Sequence, residues 1–231
     1  MSSWEGVSSL RTVGGESAKM SLTLLPTNSI WFEQFAEGCL KHMGQEVRQD
    51  WALPLPVLHA LLELVEDEWY RAESWFFKHH LAIMGCFSVI AFCSSFRGNK
   101  VFLTDLHGLS KYYAELENEN YVIVPLLGKY KGEVHHRYHL TPMAARTDSG
   151  LHIRSWIGRL VQVHHEAGRN HGPAFGDRYG ERLDSGFVEG LIADQLQIIK
   201  DTRPGVIPSE INCYEHFGVS RLFRRGATST A

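Results

Sequence analysis

The segment LAIMGCFSVIAFC (81–93) contains no charged residue, and it limits what this chain can fold into more than any other feature. A helix that is apolar all round has to be covered on every side. The run is too short to cross a bilayer as a helix, so it predicts a helix at the centre of a core with other elements laid against it. Just upstream, residues 57–77 put Leu58, Leu61, Leu62, Leu64, Val65 and Trp69 on one helical face, after the punctuation of Pro54 and Pro56. Glu63, Glu66, Asp67, Glu68 and Glu73 make this second helix acidic.

Beyond residue 93 the periodicity changes. The stretches 101–106, 121–127 and 136–143 are rich in β-branched and aromatic residues and read as short strands, with 128–132 as a hairpin tip between the last two. Helical spacing returns over 155–167 and, after a loop with Gly and Pro, over 185–199; a last helix begins near residue 219. Helices, a small antiparallel sheet and helices again give a mainly α fold with a minor β part, in the α+β class. Residues 1–27 are rich in Ser, Gly and Thr and read as a flexible leader. Residues 28–51 read as a small helical region, with Trp31, Phe32, Phe35, Cys39, Leu40 and Met43 at helical spacing. The main domain is expected over 52–231.

With 44% hydrophobic and 21% charged residues, a disordered chain is excluded. The 4 cysteines form no CxxC pair, which argues against a disulfide framework or a zinc ribbon. No secretory leader pattern is present, so an intracellular protein is expected, nuclear if the source is eukaryotic. Among the 13 histidines are three adjacent pairs, His79 with His80, His135 with His136, and His164 with His165. Neighbouring side chains point apart on helices and strands, and no HExxH spacing occurs, so neither a metal site nor a cofactor is expected. The net charge of -3 counts against a broad nucleic-acid surface, but Arg221, Arg224 and Arg225 crowd one short segment and leave room for a local basic cleft.

Three segments carry more specific chemistry. In SSFRGNKVFLTDLHGL (94–109) an Arg-Gly pair, Arg97 and Gly98, closes the apolar helix. In GKYKGEVHHRYHLTPM (128–143), Lys129 and Lys131 lie at the hairpin tip; in EHFGVSRLFRRGATSTA (215–231) the arginines cluster before small residues. In this order the three resemble the conserved boxes of the tyrosine recombinase (phage integrase) catalytic domain, over residues 52–231. FRGNKVFLTDL and GKYKGE are similar to recombinase-like proteins of eukaryotic mobile elements. GPAFGDRYGERL (172–183) resembles that family's linking stretch, an architectural segment.

The resemblance implies a DNA breaking-and-rejoining protein that acts in site-specific recombination or integration. Arg97 matches the first catalytic arginine and Arg224 the second; Lys131, with Lys129 as second choice, matches the lysine that protonates the departing 5′ oxygen. Arg221 stands where the commonest pattern has histidine. It can donate to a phosphoryl oxygen but cannot exchange protons near neutral pH. Lys129 and Arg225 are assigned to DNA contact. Such side chains suit the task, since guanidinium groups grip phosphate through paired hydrogen bonds.

The family's tyrosine nucleophile follows the third box, beyond Ala231, and Tyr179 and Tyr214 precede Arg224 and do not match it. The expectation is therefore DNA binding without complete strand transfer by this chain, as a monomer in solution that could oligomerise on DNA, with no membrane partner. Read without the resemblance, Arg97 is a cation at a helix C-terminus, the hairpin lysines are solvated turn residues and the arginine cluster is a basic patch. The alternative is accordingly a non-catalytic helical DNA-binding or protein-interaction protein derived from a mobile element.

Overall fold

Residues 51–94, 96, 98–128, 137–218 and 223 are described by a computed structural model, the side chains of 137 and 138 excepted; all fall within the unit Gln49–Ala231. The elements are α1 (Leu55–Arg71), α2 (Trp75–Ser94), α3 (Gly98–Val101), α4 (Leu106–Glu115), β1 (Tyr121–Gly128), β2 (Arg137–Ala144), α5 (Ile153–Glu166), α6 (Ser185–Thr202) and α7 (Cys213–His216). The described part is mainly helical, with one two-stranded antiparallel sheet, so the α+β class expected from the sequence holds. The leader expected over 1–27 and the helical region expected over 28–51 lie outside the described residues, Trp51 apart.

The apolar run does form the central helix. In α2 the side chains of Ile83, Cys86, Phe87, Val89, Ile90 and Ala91 are inaccessible to solvent, with α1, α5 and α6 packed around them. The helix is 20 residues long, more than the run alone suggested, and by length and composition it could cross a membrane. Here 72% of its apolar window is buried inside the protein, so that surface is used for packing. Each fully buried large apolar side chain contributes about 1.5–3 kcal/mol.

The single helix expected over 57–77 is two. Residues Ala72 to Ser74 break it, and Trp75 starts α2, where its indole N–H donates to the Val163 carbonyl of α5 (2.8 Å). The strand expected over 101–106 is also corrected. Residues 98–101 form one helical turn, Thr104 and Asp105 make only isolated bridges to Leu126 and Pro173, and Leu106 already opens α4. The reason is Asp105: its carboxylate accepts the Gly108 N–H (2.7 Å), capping α4 and ending any extended run. In the sheet, Tyr121 pairs with Ala144 and Gly128 with Arg137, so the two expected strands do pair, but Gly128, expected in the tip, is the last residue of β1, and the second strand runs over 137–144 instead of 136–143. The hairpin tip, 129–136, lies outside the described residues.

The packing of α2 on α5 depends on one missing side chain. Gly85 of α2 lies against the Trp156 indole of α5, and a methyl group at this position would overlap the ring. Gly85→Ala should therefore destabilise the domain by about 1–3 kcal/mol despite alanine's better helix propensity. Urea unfolding should show this as a lower midpoint with an unchanged slope. Trp156→Leu in the same chain should recover part of the loss.

Candidate functional site

All six residues assigned from the sequence, Arg97, Lys129, Lys131, Arg221, Arg224 and Arg225, lie outside the described residues, but the residues beside them are described. Phe96 and Gly98 flank Arg97, Gly128 precedes the lysines, and Phe223 precedes Arg224. At the end of α2 the Ser94 hydroxyl donates to the Ile90 carbonyl (2.6 Å) and accepts the Phe96 N–H (3.2 Å), which closes the helix. Gly98 is buried as the next helical turn begins.

Residues 103–106 then act as a ligament between two other segments. On one side, Leu127 N–H donates to the Leu103 carbonyl (2.8 Å) and Asp105 N–H to the Pro125 carbonyl (3.0 Å), so β1 is tied along this stretch. Gly128 packs against the Leu103 side chain, closely enough that a Cβ would not fit. On the other side, Leu106 N–H donates to the Gly172 carbonyl and Ala174 N–H to the Thr104 carbonyl, both 2.9 Å. Beneath lies an aromatic cluster around Phe87, whose ring centroid is 5.0 Å from Phe102, 5.4 Å from Phe175 and 6.0 Å from Phe223. Phe87, Phe175 and Phe223 are among the largest fully buried side chains. The residues next to all three sequence motifs are thus gathered around one ligament and one aromatic cluster.

A second cluster was missed in the sequence. His79 of α2 and His164 of α5 meet in the core, ring centroids 5.3 Å apart, while their neighbours His80 and His165 are less buried. His79 Nε2 bonds the Gly176 carbonyl (3.0 Å) and His164 Nε2 the Ala174 carbonyl (2.7 Å). Arg169 Nη1 donates to His164 Nδ1 (3.0 Å) and to the Asp177 carbonyl (2.5 Å), and its Nη2 to the Pro173 carbonyl (3.0 Å). Together these side chains hold the 172–177 loop, and that loop holds the ligament. The sequence signal was present, but only as adjacent His pairs; the partners that matter come from different pairs.

His79 and His80 have different partners, as do His164 and His165, whereas His135 and His136 lie outside the described residues; among the described residues no group of three or more His, Cys, Asp or Glu side chains could hold a metal ion. Tyr214 is exposed and its hydroxyl donates to the Asp194 carboxylate (3.0 Å), which raises its pKa. This is the wrong direction for making a phenolate nucleophile. No family model, no curated protein and no solved structure matches this chain.

Burial pushes the pKa of His79 down to about 4 and that of His164 to about 3; the Arg169 charge beside them acts in the same direction. Both are therefore neutral in the folded protein at neutral pH. The unfolded chain protonates near pH 6.5, so their contribution to stability is complete above that value and is lost as pH falls toward 4 and then 3. Each histidine can remove up to about 1.4 kcal/mol per pH unit in that window. Denaturant midpoints measured from pH 7 to 4 should fall steadily, and His79→Gln should flatten the decline.

Proposed function

We propose that the chain is a DNA-binding protein of the tyrosine recombinase type, gripping DNA phosphates with Arg97, a hairpin lysine and Arg224. The observation that carries this reading is that neighbours of those residues reach one shared region: Phe102 N–H donates to the Gly98 carbonyl, Gly128 packs on Leu103, and Phe223 and Phe102 both pack on Phe87. Segments that carry three cations and share one anchorage suit recognition of a single anionic group, as phosphodiester chemistry requires. In this reading Arg97 and Arg224 donate to the non-bridging phosphate oxygens, Lys131 serves the leaving 5′ oxygen, and Arg221 adds a donor without proton exchange. Lys129 and Arg225 hold the flanking backbone. The linking segment 172–183 has an architectural role, and its hydrogen bonds to Thr104 and Leu106 are consistent with that.

The acidic outer surface of α1 favours a second reading, a mobile-element-derived protein that binds other proteins instead of DNA. Titration of labelled duplex DNA separates the two. Binding should weaken steeply with salt, and Arg97→Ala or Arg224→Ala should each lower affinity about tenfold and reduce the slope of log K against log salt by about 1. Binding indifferent to both substitutions, or absent at low salt, would sink the DNA reading.

A further inference from the structure

Two histidines with no part in the buried cluster meet beside the ligament. His107 lies near the start of α4 and His171 on the stretch that leads into the 172–177 loop. Both are exposed, and their ring centroids are 4.8 Å apart with the planes 25° from parallel. They are far apart in the chain, and one backbone bond between their immediate neighbours brings them together: Leu106 N–H donates to the Gly172 carbonyl (2.9 Å). Gly172 has a φ of +92°, a left-handed conformation open to glycine, so the chain turns sharply just after His171. The same ligament is tied to the segments assigned to phosphate. Leu103 accepts the Leu127 N–H of β1 and packs on Gly128, which precedes Lys129, and Phe102 N–H donates to the carbonyl of Gly98, which follows Arg97.

The charged groups on the surrounding elements have other partners. On the pair's own segments, Asp105 accepts the Gly108 N–H, Lys111 lies 3.9 Å from Glu115, and Arg169 is held by loop carbonyls and His164. From α5, Arg154 donates to carbonyls at the end of α4 and His165 meets Ser110 (3.2 Å). The Asp177 carboxylate accepts the Tyr179 and Glu181 N–H groups, and β1 has no charged residue. Among the described residues neither His107 nor His171 makes an ion pair or a side-chain hydrogen bond, so their ring nitrogens remain for solvent or a ligand. Imidazole as a group gains and loses a proton between pH 5 and 8. Two protonated rings at this spacing repel each other even in water. An anion received by both offsets that repulsion and meets two charged donors, so anion binding and proton uptake favour each other reciprocally.

We propose that His107 and His171 together grip a phosphate of the bound DNA, next to the one met by Arg97 and Arg224, and take up protons as it binds. The inference rests on the DNA reading above and adds to it a dependence on pH. It can be tested on the full chain by titrating labelled duplex DNA at one fixed ionic strength, at pH 8.0 and at pH 6.5. The buried His79 and His164, with pKa values of about 4 and about 3, stay neutral in the folded protein over this range and do not contribute. Affinity should rise about fivefold at the lower pH. His107→Gln and His171→Gln, both at exposed positions, should each remove most of that rise and keep the pH 8.0 affinity within about twofold of wild type. His107→Lys should bind at pH 8.0 about as tightly as the wild type does at pH 6.5, a rescue by charge that a purely structural ring contact would not give. Salt-sensitive binding of equal strength at the two pH values, or a rise that both glutamine variants keep, overturns the proposal and leaves the DNA reading standing. Absence of binding at low salt at both pH values removes the DNA reading and the proposal with it.

Discussion

Phe87 stands where the described domain is joined together. A helix as apolar as α2 has no solvent face to offer, so everything packed on it is held by the same requirement, removal of its whole circumference from water. The α1 and α5 helices supply much of that cover. The remainder comes from segments far apart in sequence, and Phe87 touches them through Phe102, Phe175 and Phe223. This cover is what gives the short, irregular pieces between helices a fixed place. Without it, 102–106 and 172–177 would be loops tied only by hydrogen bonds that water could replace.

The elements that could be read from the sequence were those with long periodic patterns. The spacing of Leu58, Leu61, Leu62 and Val65, the uninterrupted run of α2 and the β-branched residues of 121–127 each had one good interpretation. VFLTDL had two. Its alternation imitates a strand, and only the Asp105 carboxylate at the start of α4 decides the matter, an interaction three residues long that a period-two pattern hides. The break at 72–74 was hidden for a related reason: it is only three residues long, Ala72, Glu73 and Ser74, between the aromatic residues Trp69 and Trp75, and what distinguishes its far side is tertiary, the Trp75 indole N–H donating to Val163 of α5.

The candidate site was readable in a different sense. Its three motifs could be ordered along the chain, but order does not tell where segments meet, and the shared ligament at 103–106 emerges only from tertiary hydrogen bonds. The buried cluster of His79, His164 and Arg169 was harder still. Eighty-odd residues separate the two histidines, and each sits beside a more exposed histidine that draws attention to the wrong pairing. What selects the pair is the supply of unpaired carbonyls in the 173–177 loop. Burying those carbonyls without donors would cost more than burying two neutral imidazoles and a guanidinium that satisfy them.

This use of arginine also bears on net charge. Arg169 is 9% exposed and spent on carbonyls; Arg154 donates to the carbonyls of Tyr113, Leu116 and Tyr121, closing the end of α4. Arg159 pairs with Glu66 and lies 4.3 Å over the Trp156 ring, and Arg203 pairs with Glu63 at 2.8 Å. These four cations hold the fold together, and two of them neutralise part of the acidic face of α1. The sum of -3 therefore mixes charges committed to structure with charges free to meet a ligand, and it says little about either class. A phosphate-binding surface of the kind proposed would therefore be local, on the short segments beside Phe96, Gly128 and Phe223.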